Sequence, residues 1–134
     1  MKRITIAAAL LLAFGLAAGS LWAHHSPTAV FAMDKGTAWK GTLTKVDWVN
    51  PHIDVFVDVK QADGTVDNWK FESNPPSWFK HVGITRADIA KAIGQVVTVG
   101  GVPARDGTKY GYMFKLTFAD GNSLELQLKN EETK

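Results

Sequence analysis

KVDWVNPHIDVFVDV, Lys45 to Val59, reads as two strands and the corner between them. Ile53, Val55, Val57 and Val59 alternate with Asp54, Phe56 and Asp58, the period-two pattern of a half-buried strand. Asn50-Pro51 breaks the pairing just before it. Upstream, Val46 and Trp48 share one phase, whereas Trp39, Gly41 and Leu43 share the other. A phase change inside one strand is what an extra, bulged residue produces, so the strand from Thr37 is expected to bend.

Working outward, Ala62-Asp63-Gly64-Thr65 has the chemistry of a hairpin turn. Val66 to Glu72 is then the return strand, with Trp69 and Phe71 on one face. The pattern becomes helical after it. Asn74 suits an N-cap with Pro75 in first position, and Gly83 suits the end of that short helix. Thr85 and Asp88 stand three apart like a capping box, with Ile84 and Ile89 as its staple and Gly94 as its stop. Strands resume at Gln95, with Val97 and Val99 expected inward. Tyr112, Phe114, Leu116 and Phe118 are expected on one face of the next strand, and Leu124, Leu126 and Leu128 on the last.

Three strands, a helical link and two or three strands predict a mainly β fold. The expected form is a small OB-like Greek-key barrel of five or six antiparallel strands, with a short helical link between strands 3 and 4. A plain antiparallel sandwich is the alternative.

The start of the chain has a different character. Met1-Lys2-Arg3 precedes an apolar run from Ile4 to Ala18, and Ala23 is a small residue suited to cleavage. A positive tip and a short apolar core read as a secretory signal, too short for a membrane-spanning helix. A cut after Ala18 is the alternative to one after Ala23. The expected organisation is a signal peptide at 1–23, an arm at 24–36, an OB-like domain at 37–129 and a polar tail at 130–134. The expected location is periplasmic or secreted, with no membrane attachment after cleavage.

Lys2 and Arg3 account for the chain's net charge of +2, so the remainder balances at neutrality. A neutral domain has no global attraction for nucleic acid. The absence of cysteine excludes thiol chemistry and thiolate ligands.

The histidines carry the sharpest chemical hint. A cut after Ala23 would create a terminus with a free amine and the imidazoles of His24 and His25. Nitrogen donors of this kind suit Cu(II) and Ni(II), and imidazole also suits Zn(II). His52 is the natural third ligand. It follows the Asn50-Pro51 corner and by alternation faces away from the Ile53-Val55-Val57 core side, where a nearby Asn or Asp side chain can orient its ring. His81, near a helix end, suits the helix dipole better than a ligand role. Met33 beside Phe31 reads as packing, and the tryptophans as core and rim. Asp54 and Glu72 are candidate acid–base partners whose separation periodicity does not set.

Several stretches resemble a known family, the domain of unknown function 6152. They are Ala23-His24-His25-Ser26, the run from Lys45 to His52, and Asn68-Trp69-Lys70-Phe71-Glu72. Gly94 to Val99, Arg105-Asp106-Gly107 and Ala119-Asp120-Gly121 extend the likeness along the chain. Asn74 to Lys80, NPPSWFK, departs from it, since a Gly- or Ser-rich entry is expected there. The resemblance implies an exported bacterial β-rich domain and no particular activity. It also places His24, His25 and His52 among the family's marks.

The resulting expectation is a non-enzymatic periplasmic protein that binds copper, as Cu(II), through His24, His25 and His52. A binding module for a small organic or envelope ligand, using Trp48, Asn50 and Phe56 on the barrel face, is the alternative. A copper redox enzyme built on the same histidines ranks third.

Overall fold

The structure, a computed structural model, describes residues 26–126. The expected signal at 1–23, His24, His25, Leu128 and the tail at 130–134 lie outside the described residues. The described chain runs α1 (Pro27–Val30), β1 (Thr37–Asp47), β2 (Asp54–Lys60), β3 (Val66–Glu72), α2 (Pro76–His81), α3 (Arg86–Ala90), β4 (Val96–Pro103), β5 (Tyr110–Thr117) and β6 (Ser123–Glu125).

The strands lie in the order β3-β2-β1-β4-β5-β6, and a further pairing of β3 with β5 closes the first five into a barrel. This is the OB-like arrangement, with α2 and α3 bridging β3 and β4. One pairing differs from expectation: β3 and β5 run parallel, so the barrel is mixed. The reason is topological. Through β2 and through β4 respectively, β3 and β5 are each separated from β1 by two antiparallel pairings, so both run with β1 and meet in the same direction.

The bulge in β1 sits where the phase changes. Leu43 pairs with Val57 and Lys45 with Phe56, leaving Thr44 as the extra residue. Leu43 and Val46 thereby both face the interior and are buried. Ile53, Val55, Val57 and Phe71 are fully buried beside them, with Val97, Val99, Met113 and Leu116 from β4 and β5. Phe79 of α2, Ile89 of α3 and Leu126 join this core. Burying each such side chain contributes about 1.5–3 kcal/mol, which is how a chain without cysteine holds its shape.

The helical link is built from local chemistry. Thr85 and Asp88 form the reciprocal capping box, and Gly83 and Gly94 take positive φ of 75° and 85° behind the two helical segments. The first start differs by one residue. Pro75 is the N-cap of α2, and Asn74 is free for another task.

The phase of β5 also differs. Gly100 pairs with Lys115 and Gly101 with Met113, so Phe114 is a second bulged residue. Met113 and Leu116 turn inward, whereas Tyr112 and Phe114 turn outward onto a second, smaller core. Phe31, Val102 and Ala104 are buried there. The arm reaches it by an antiparallel bridge between Phe31 and Ala104, with Ala32 N–H donating to Pro103 O at 2.9 Å and Arg105 N–H to Val30 O at 2.9 Å.

Candidate functional site

Barrel closure creates the most densely bonded polar cluster of the described residues. The parallel register sets Lys70 beside Tyr110, Phe71 beside Gly111 and Glu72 beside Tyr112. Gly111 is required at this seam: a Cβ there would lie 2.9 Å from two Phe71 ring atoms and 3.0 Å from Val102 O. With Gly111 facing inward, Tyr110 and Tyr112 necessarily face outward.

His52 enters from the corner before β2. Its Nδ1 lies 3.0 Å from Glu72 Oε1. A carboxylate only accepts hydrogen bonds, so a neutral ring with its hydrogen on Nδ1 suits this neighbour and keeps a lone pair on Nε2. The other oxygen, Glu72 Oε2, accepts a hydrogen bond from the Tyr110 hydroxyl. Burial, followed by this bond to Glu72, raises the Tyr110 pKa far above the ordinary phenol range, so the hydroxyl stays a donor. Tyr112 is raised too, chiefly by burial. Its hydroxyl donates to Asn74 Oδ1 at 3.0 Å, while Asn74 Nδ2 donates to Leu126 O at 2.7 Å. That is the task for which Asn74 leaves the cap position.

Asp54 stands directly across from Glu72 on the neighbouring strand. Lys70 Nζ lies 2.9 Å from Asp54 Oδ2 and also sits over the Tyr110 ring, 5.2 Å from its centroid. Burial raises the Asp54 pKa, the Lys70 contact opposes this, and the charge of Glu72 adds to the rise. The two carboxylates that periodicity left at an unknown separation are thus a cross-strand pair with one ammonium between Asp54 and the tyrosine.

The arm is part of the same assembly. The Phe31 ring lies 5.1 Å from Tyr110 and 5.4 Å from Tyr112. Arg105 Nε donates to Thr28 O at 3.1 Å, which fastens α1 to the loop after β4.

The remaining expected site residues have separate settings. Trp48 packs on Phe79, ring centroids 5.3 Å apart. Asn50 is exposed, and Phe56 carries the Lys45 ammonium 5.0 Å above its ring. His24 and His25 lie outside the described residues. Among the described residues no three His, Asp or Glu side chains form a group that holds a metal ion, and no helix is long and apolar enough to cross a membrane. A groove lined by Trp48 and the helical link does not include His52; the polar cluster, with its fixed partners, is the better site for chemistry.

Sequence reasoning found His52, Asp54 and Glu72 but missed Phe31, Lys70, Asn74, Tyr110 and Tyr112 as their partners. The usable signal was Tyr110-Gly111-Tyr112, because a glycine inside a strand marks close backbone approach and puts its neighbours on the opposite face. A comparison with curated proteins finds no match. The profile of the Family of unknown function (DUF6152) matches residues 12–113, a span that takes in β1 to β4, the start of β5, His52, Glu72 and both tyrosines, and the chain belongs to that family.

Proposed function

We propose that this is an exported, non-enzymatic metal-binding protein that holds Cu(II) between its processed N-terminus and His52. The observation that carries the reading is the chain Tyr110–Glu72–His52. A histidine that ligates a metal commonly gives its other ring N–H to a carboxylate, which sets the tautomer and makes the ring a better donor. Here Glu72 Oε1 stands 3.0 Å from His52 Nδ1, placed for this role, and Tyr110 in turn holds Glu72. The His52 side chain is 43 % exposed while Glu72 is 16 % exposed, so the ligand is reachable and its support is sheltered.

The arm supplies the rest of the donor set. Phe31 rests on the tyrosine that holds Glu72, and His24 and His25 immediately precede Ser26, where the described arm begins. Cleavage after Ala23 supplies the terminal amine. Amine and imidazole nitrogens fit Cu(II), and binding displaces protons from them. The short apolar run from Ile4 supports export to a periplasmic or secreted location.

The test uses the processed protein purified after export, its mass measured, loaded with Cu(II) and examined by electron paramagnetic resonance. One copper per chain is expected, with nitrogen couplings that lose one imidazole in His52→Ala. An N-terminus upstream of His24, or copper binding unchanged when both His25 and His52 are replaced, overturns the proposal.

A further inference from the structure

A second site lies on the helical link, away from the polar cluster's residues. A groove of about 390 Å³ runs between the end of β1 and the two helical segments. Trp48, Pro76 and Ile84 supply apolar walls, and Lys80 and Arg86 are the charged residues that line it. Trp48 is held in place against Phe79, which is itself fully buried. The volume is within the range of small-molecule sites, which combine apolar walls with a few placed polar groups.

The charge around the groove is one-sided. Between Ser73 and Arg105 the sequence contains a single acid, Asp88. That carboxylate is committed to the capping box, accepting from both the Thr85 backbone N–H and its hydroxyl at 2.7 Å. No carboxylate lines the groove. Among the described residues neither Lys80 nor Arg86 takes part in an ion pair, whereas Lys45, Lys70, Lys109 and Lys115 all do.

Two cations without an ion-pair partner among the described residues, beside an apolar groove walled by Trp48, favour an anionic ligand with an apolar body. We infer that this groove binds a small organic carboxylate with an aromatic or branched apolar body. The apolar body lies against Trp48 and Ile84, and the carboxylate meets Lys80 and Arg86. The inference is independent of the metal site, because none of its residues belongs to the His52–Glu72–Tyr110 chain.

The test is a titration of the full processed protein with 2-naphthoate and its neutral analogue 2-naphthamide, followed by amide and indole chemical shifts. Saturable naphthoate binding is expected, with shifts at the Trp48 indole, Ile84 and Arg86, and with naphthamide weaker by about tenfold, since two partly exposed charge contacts are lost. Lys80→Gln with Arg86→Gln is expected to bring naphthoate down to the naphthamide level. Both side chains are exposed, so the fold survives the exchange. His52→Ala is expected to leave naphthoate binding intact. Absence of saturable binding, equal affinity for the two compounds, or shifts centred on β2 and β3 overturns the inference.

Discussion

Phe31 and Tyr110 meet ring to ring at 5.1 Å, tilted by 59°, although they come from opposite ends of the described chain. Tyr110 is also the donor to Glu72, which holds His52. One side chain thus joins the docked arm to the candidate metal ligand, and the first two predictions probe each side of it.

Replacing Phe31 by Ala removes the largest buried side chain of the second core, where exposure is 1 %. The main core does not depend on it, so the expected result is local. Hydrogen exchange should speed up at Ala32 and Arg105, whose N–H groups bond the arm contacts Pro103 O and Val30 O, while Val55 and Val57 stay protected. Copper affinity should fall in parallel. Equal loss of protection throughout the barrel would show that the arm is integral to the global fold and not a separately docked piece.

Glu72→Gln keeps the shape of the side chain and removes the carboxylate that faces His52 Nδ1 at 3.0 Å. Nitrogen chemical shifts of the metal-free protein should show the imidazole losing its single Nδ1–H form. Cu(II) affinity should drop about 10- to 100-fold, the range for loss of a partner behind a metal ligand. Tyr110→Phe should give a smaller drop, because it removes only the donor behind Glu72. An unaltered tautomer in Glu72→Gln would mean that the contact at 3.0 Å is not what orients the ring.

Asp54 makes a pH prediction with a defined sign. Burial outweighs the Lys70 contact, so the folded carboxyl holds its proton above its ordinary value of 3.8. The folded state then binds more protons than the unfolded chain between 3.8 and the raised value, and this group's contribution to stability falls as pH rises through that window. The stability of Asp54→Asn relative to the parent should therefore increase as pH rises from 3.8 through the raised value. A relative stability that decreases over that span would place the Asp54 pKa on the low side instead.

Gly101→Ala tests the second bulge. A Cβ at Gly101 would lie 2.0 Å from Tyr112 O, which is backbone and has no room to yield. Overpacking of this kind costs about 1–3 kcal/mol or more, so thermal unfolding should shift down by several degrees. Gly36→Ala, with nothing within 4 Å and no positive φ, is the matched control and should leave the midpoint near its starting value. Similar midpoints for the two variants would mean that β4 and β5 are spaced differently at this bulge.

Local patterns were legible in the chain itself. The faces of β2, the bulge at Thr44, the capping box at Thr85 and Asp88 and the positive-φ glycines behind the helices all follow from neighbours a few residues apart. So does the outward direction of His52, because alternation from Ile53 leaves it no other side. Asn74 misled because its side chain suits a cap locally, yet it is recruited by Tyr112 and Leu126, 38 and 52 residues away. The phase of β5 misled for a similar reason: the inserted Phe114 is needed to fit β4, which periodicity along one strand cannot register.

The sequence by itself determined which way the residues of β2 and of the corner before it face and which chemistry they offer. Only the tertiary structure decided which of them meet. Glu72 and Tyr110 are 38 residues apart and come together because β3 and β5 close the barrel in parallel, and Phe31 joins them through its bridge to Ala104. Alternation is a property of one strand, whereas register between distant strands is set by how the whole core fills, so the site exists only once the barrel has closed.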